Sequence, residues 1–98
     1  MEIKQTALAG TTESSDIQIT LSKGNGSIDI DLTSDVKKQF GNQIIKVITE
    51  TLQKFQITDV KVRAVDKGAL DCVIQARTIA AAARALNTAD QIKWEVLQ

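Results

Sequence analysis

Four hydroxyl side chains stand close together near the start of the chain: Thr11, Thr12, Ser14 and Ser15. They lie in the stretch Ala9-Gly10-Thr11-Thr12-Glu13-Ser14-Ser15-Asp16, which has no apolar run and no clean period and so reads as a surface loop. Gly10 frees the backbone just before the hydroxyls, and Glu13 and Asp16 flank the serine pair with negative charge. Exposed loops on a rigid scaffold commonly carry chemistry. The same residue types are the ordinary residues of turns, so composition alone describes a plain turn.

Other chemistry is restricted by what the chain lacks. There is no histidine, so Ser-His and Cys-His nucleophilic machinery cannot be assembled within it. An Asp or Glu pair remains available for acid-base work, but the acidic residues are scattered, mostly beside turns or on polar faces. Cys72 is the single cysteine, which excludes an internal disulfide and, without histidine, leaves almost no route to a zinc site. Twelve basic and twelve acidic residues cancel, giving no broad positive field for nucleic acid, and 3% aromatic content argues against base-stacking platforms. No apolar stretch approaches the ~20 residues of a membrane span. Met1-Glu2-Ile3-Lys4 lacks the apolar region of a signal peptide, so the expectation is a soluble cytoplasmic protein.

The loop must be held by the elements around it, and 98 residues suffice for one domain with one core, residues 1–98. Residues 5–10 read as a short strand. Ile17, Ile19 and Leu21 alternate with Gln18, Thr20 and Ser22 in a half-buried strand. Lys23-Gly24-Asn25-Gly26-Ser27 is a turn signal, and Ile28, Ile30 and Leu32 alternate again, so the two segments read as an antiparallel hairpin pairing 17–21 with 28–32. Ser34 suits the N-cap of a first helix, whose apolar series runs Val36, Phe40, Ile44, Val47, Ile48, Leu52, Phe55. Ser34 is read as a cap and nothing more. Gly41 inside that helix marks either a close contact with another backbone or a weak point.

Thr58 to Val65 alternates with Val60, Val62 and Ala64 on one face. Asp66-Lys67-Gly68 then reads as a tight turn into a fourth strand over residues 69–76, with Leu70, Cys72, Ile74 and Ala76 inward. A helix starting near Leu70 competes, since Leu70, Val73 and Ile74 also match helical spacing. Arg77 to Leu86 has strong helix propensity, with Asn87 as C-cap, and Ile92 to Val96 alternates as an edge strand or lies on the core through Trp94. The expected fold is α+β: a two-layer sandwich of a mainly antiparallel sheet in the order β-β-α-β-β-α, with an extra N-terminal strand at 5–10 and two helices on one face.

The stretch Ala9 to Asp16 resembles the modification-site segment of the acyl carrier proteins of citrate lyase, the gamma subunits of that enzyme. Asp66-Lys67-Gly68-Ala69-Leu70-Asp71-Cys72 resembles the same family at the matching distance, and Gln39-Phe40-Gly41 and the closing Trp94-Glu95 also fit. The likeness runs end to end. It implies that Ser14 is the carrier serine, bearing a phosphodiester-linked phosphoribosyl-dephospho-coenzyme A arm. The next residue is often Gly in that family; here it is Ser15. Ordinary acyl carrier proteins are acidic helix bundles with Asp-Ser-Leu at a helix start, unlike Ser34-Asp35-Val36 here.

The resemblance further implies a non-catalytic subunit of a citrate lyase complex. Its partners would be an alpha subunit that exchanges acetyl for citryl, a beta subunit that cleaves citryl thioester to oxaloacetate, and a holo-forming transferase. The working thiol would be the arm's, not that of Cys72, while Lys67 and Asp71 could meet the arm's phosphates or a partner subunit. The alternatives are the carrier subunit of malonate decarboxylase, a small ligand-sensing or interaction domain, and, least favoured by the missing histidines and small size, a stand-alone enzyme.

Overall fold

Val60, Val62 and Ala64 are fully buried while Lys61 and Arg63 between them face solvent. A strand with one face so completely covered belongs at the centre of a sheet, and β4 (Val60–Asp66) is paired on both edges. The computed structural model describes residues 3–86. Before β4 come β1 (Ala7–Ala9), β2 (Ile17–Lys23), β3 (Ile28–Ser34) and helix α1 (Lys37–Lys54); after it comes helix α2 (Asp71–Ala85). The sheet order is β1-β2-β4-β3. β1–β2 and β2–β4 are antiparallel, whereas β3–β4 is parallel, so the sheet is mixed.

The α+β sandwich and the extra N-terminal strand are as the sequence indicates. The hairpin of 17–21 with 28–32 is not present: β4 lies between these segments and pairs with both. Alternation fixes which face of a strand is buried, not which strand is its neighbour. Segment 23–27 therefore crosses the start of β4 instead of turning tightly. The Val60 amide donates to the Ser27 carbonyl at 3.1 Å, and the Gly26 amide donates to Asp59 Oδ1 at 2.8 Å. At Gly24 a Cβ would lie 2.6 Å from the Val60 nitrogen, so only glycine lets the chain pass this close. The β3–α1–β4 unit supplies the helical crossover that adjacent parallel strands require.

Residues 69–76 do not form a strand; most of the segment is the start of α2. The buried series Ile74, Thr78, Ala81, Ala82, Ala85 has the helical period, and it prevails over a short stretch that also fits alternation. Leu70, Cys72 and Ala76, expected inward, are exposed. Arg77 is consequently a mid-helix residue, not the start of one. Ser34 is likewise not the N-cap of α1: it ends β3, and Val36 occupies the cap position without a side-chain cap bond. The expected features at Asn87 and Ile92–Val96 lie outside the described residues.

Both helices cover the same sheet face, α1 packing on β3 and α2, and α2 on β1 and β2. Ile44, Ile48 and Leu52 of α1 join Ile17, Ile19, Leu21, Val60 and Val62 in one core. Burying each large aliphatic side chain is worth about 1.5–3 kcal/mol. The alanines of α2 let it lie close to the sheet. Gly41 is buried against side chains, with Lys37 Cγ and Leu32 Cδ2 at 3.1 and 3.9 Å from the position a Cβ would take; no neighbouring backbone atom comes as close.

Register brings three segments to one end of the sheet. Asp66 at the end of β4 pairs with Ile17 on one side and Ser34 on the other. The serine loop leading into β2, the start of α1 and the start of α2 therefore meet at the carboxyl ends of the two parallel strands. In open α/β sheets this is the end at which ligands are commonly met.

Candidate functional site

The serine loop is built around Asp16. Asp16 Oδ2 accepts from the Thr11 hydroxyl at 2.7 Å and the Thr11 amide at 3.2 Å. Oδ1 accepts from the Ile17 amide at 2.7 Å. Arg77 reaches across from α2 and grips both oxygens, Nε to Oδ1 and Nη2 to Oδ2, each at 3.0 Å. A bidentate guanidinium–carboxylate pair is among the strongest and most directional of charge-assisted contacts.

These donors hold the Asp16 carboxyl well below the usual carboxylate range. The hydrogen bonds from Arg77 contribute most, then the Thr11 hydrogen bond; burial opposes the shift, while the Ile17 amide and the charge of Arg77 add to it. Asp16 is therefore a structural anion, ill-suited to serve as a general base for its neighbours. Gly10 permits the entry to the loop. Its φ is 88°, and a Cβ there would land on the Ile17 carbonyl oxygen and lie 3.2 Å from Arg77 Cδ.

Ser14 sits between two backbone anchors. On one side the Glu13 amide donates to Thr11 Oγ1 at 3.2 Å, and the Glu13 carbonyl accepts from the Asp16 amide at 3.1 Å. On the other the Ser15 amide donates to the Lys67 carbonyl at 2.8 Å, and the Lys67 amide donates to the Asp16 carbonyl at 2.9 Å. The Ser14 side chain is exposed, and its hydroxyl makes no hydrogen bond among the described residues. The Ser14 hydroxyl is thus exposed on a backbone pinned on both sides. Ser15 has φ 65°, the left-handed region in which glycine is at ease.

The Asp66 to Cys72 block stands beside this loop. Asp66 is buried, accepting from Ser34 Oγ at 2.8 Å and from the Ala69 amide at 3.0 Å, while Ser34 Oγ accepts from the Val36 amide at 3.1 Å. This small network ties the ends of β3 and β4 to the starts of both helices. Gln43 Nε2 donates to Asp71 Oδ2 at 2.9 Å, linking α1 to α2. Cys72 is exposed on α2. Sequence reasoning found Ser14 and Asp16 as loop residues but missed Arg77. The available signal was one of two arginines, Arg77 and Arg84, within an alanine-rich helix, and its mid-helix place is legible only once that helix extends back to Asp71.

Among the described residues no group of three or more His, Cys, Asp or Glu side chains is placed to hold a metal ion, and no helix is long and apolar enough to cross a membrane. The fold recurs in a solved structure, a Pseudomonas malonate decarboxylase hetero-tetramer in complex with malonate. One of its chains is similar at TM-score 0.66 and 20% identity, over 83% of this chain and 84% of that one. A family model described as malonate decarboxylase delta subunit (MdcD) matches residues 4–85, which places the chain in that class of acyl carrier subunits.

Full-length relatives narrow the class. The chain is 84% identical to the citrate lyase acyl carrier protein of Oenococcus oeni, 69% to that of Lactiplantibacillus plantarum and 58% to that of Leuconostoc mesenteroides. Each match covers 99% of this chain and 100% of the relative. The chain belongs to the citrate lyase acyl carrier proteins.

Proposed function

We propose that residues 1–98 act as one carrier domain in the cytoplasm, with Ser14 bearing a phosphoribosyl-dephospho-coenzyme A arm through a phosphodiester. The observation that carries this reading is the free, outward Ser14 hydroxyl between the anchored backbones of Glu13 and Ser15. The neighbouring hydroxyl is a poorer candidate. Ser15 occupies a left-handed position that the family often fills with Gly, so a side chain there is dispensable.

When bound, the arm supplies a terminal thiol that carries acetyl and citryl groups as thioesters. The chain's own residues present and orient it. Arg77 and Thr11 hold Asp16, Asp16 shapes the loop, and Gly10 admits the turn. With Asp16 committed to Arg77, the base that takes the Ser14 proton during loading comes from the holo-forming transferase. The alpha and beta catalytic subunits of citrate lyase do the remaining chemistry, citrate to acetate and oxaloacetate, and the tether raises the effective concentration of the acyl group at each of them.

The test is reconstitution. Loaded carrier added to a carrier-free alpha–beta complex restores citrate cleavage, and carrier alone cleaves none. Restoration of malonate decarboxylation instead, by a carrier-free malonate decarboxylase complex, would transfer the chain to the other class of acyl carrier.

A further inference from the structure

The segment that crosses the start of β4 contains the pair Asn25-Gly26. Both residues are exposed, and the Asn25 side chain makes no hydrogen bond among the described residues. Gly26 has φ 101°, and a Cβ there would meet nothing within 4 Å, so the space beside its α-carbon is open. An unpartnered asparagine side chain followed by so unhindered a residue is set up to cyclise onto the next backbone nitrogen. One contact opposes this. The Gly26 amide donates to Asp59 Oδ1 at 2.8 Å, and the loop closes so tightly on that carboxylate that a Cβ on Gly24 would lie 2.6 Å from the same oxygen.

We infer that Asn25 is a site of spontaneous deamidation and that Asp59 is the brake on it. The Gly26 nitrogen gives its proton to hydroxide and attacks Asn25 Cγ. The N–Cγ bond forms, the Cγ–Nδ2 bond breaks, and Nδ2 takes a proton from water and leaves as ammonia, regenerating hydroxide. The product is a cyclic succinimide. Water then opens the ring at either carbonyl. Opening at Cγ leaves an aspartate in an ordinary main chain; opening at the main-chain carbonyl leaves an isoaspartate, whose main chain carries an extra methylene. The net change is one water consumed, one ammonia released and one carboxylate gained. Attack requires the deprotonated Gly26 nitrogen. A carboxylate that accepts the Gly26 N–H favours the protonated amide, and its negative charge disfavours the anion.

The location separates this chemistry from the serine loop. Lys23 and Ile28 both register with Val60, whereas Ile17 and Ser34 register with Asp66 at the other end of β4. An isoaspartate lengthens the chain where it passes closest to Val60, and so loosens the starts of β3 and β4 without touching the Arg77–Asp16 clamp.

The test incubates the full-length chain in mildly alkaline buffer beside a peptide of residues 22–30. Intact mass, peptide mapping and methylation by an isoaspartyl methyltransferase follow the reaction. The natural chain deamidates at Asn25 and not at Asn42, which lies within α1. It does so about tenfold more slowly than the peptide, the effect of one hydrogen bond to a charged acceptor. Asp59→Ala, kept under conditions where circular dichroism shows it folded, brings the rate close to that of the peptide, and Asn25→Gln abolishes the change at this site. Hydrogen exchange in the natural chain, which needs no variant, is slower at the Gly26 amide than at that of Asn25. Deamidation of the natural chain as fast as the peptide, an unprotected Gly26 amide, or a folded Asp59→Ala that reacts no faster than the natural chain would overturn the inference.

Discussion

Arg77 holds Asp16 by two hydrogen bonds of 3.0 Å, joining the middle of α2 to the end of the serine loop across 61 positions of sequence. The pair is half-sheltered: the Arg77 side chain is 41% exposed and that of Asp16 14%. Removing one partner strands the other. Arg77→Met should lower stability by about 1–2 kcal/mol, discounted for the exposure of Arg77. The loss should fall unevenly, with amide exchange at Ser15 and Asp16 speeding more than in β4. Uniform loss across the sheet would mean the clamp serves the core and not the loop.

Acid should undo the same clamp. The Asp16 carboxyl ionises more readily in the folded chain than its ordinary value of 3.8. A depressed folded value means that the stabilisation is fully present above pH 3.8 and is lost as the pH falls below it towards the folded value. Denaturation midpoints measured from pH 6 downward should therefore decline less steeply for Asp16→Asn than for the natural chain. Parallel declines would contradict the assignment of Asp16 as the loop's structural anion.

The two glycines Gly10 and Gly41 should respond oppositely to alanine. At Gly10 the new Cβ meets the Ile17 carbonyl in a left-handed backbone, and the cost should be about 1–3 kcal/mol. At Gly41 the nearest obstacle is Cγ of a flexible, exposed lysine, Lys37, at 3.1 Å. Relief of the helical glycine penalty should then prevail, and Gly41→Ala should stabilise by about 0.5–1 kcal/mol. Thermal denaturation of both variants settles the signs.

Ser15 offers a third contrast. With φ at 65°, Ser15→Gly should be neutral or stabilise by up to about 1 kcal/mol, while Ser15→Val should cost about 1–2 kcal/mol. Loading should survive Ser15→Gly, since the anchoring bond to the Lys67 carbonyl uses the Ser15 backbone amide and no side chain.

Much of this was legible in the sequence because period and punctuation report local geometry. Ile17 to Leu21 and Val60 to Ala64 show their buried faces directly. The apolar series from Val36 to Phe55 traces α1. What the sequence hides is adjacency. Nothing in the Gly24 turn tells that β4 inserts between β2 and β3, and Leu70 to Ala76 satisfies both periods until the burial of Thr78, Ala81 and Ala85 decides between them. The serine loop was visible as a loop. Its rigidity was not, because that depends on Arg77 and Lys67, which are distant in sequence and carry no local signature.

The most direct test of the account is the covalent site itself. Natural chain, Ser14→Ala and Ser15→Ala are incubated with the arm precursor and the holo-forming transferase, then read by intact mass and peptide mapping. The account predicts an added arm mapped to Ser14 in the natural chain and in Ser15→Ala, and none on Ser14→Ala, whose fold should survive with a change of about 0.5 kcal/mol. An arm on Ser14→Ala together with a bare Ser15→Ala would move the site by one residue and contradict the claim for Ser14. Loading of both variants would remove the arm from the loop and point to Ser34.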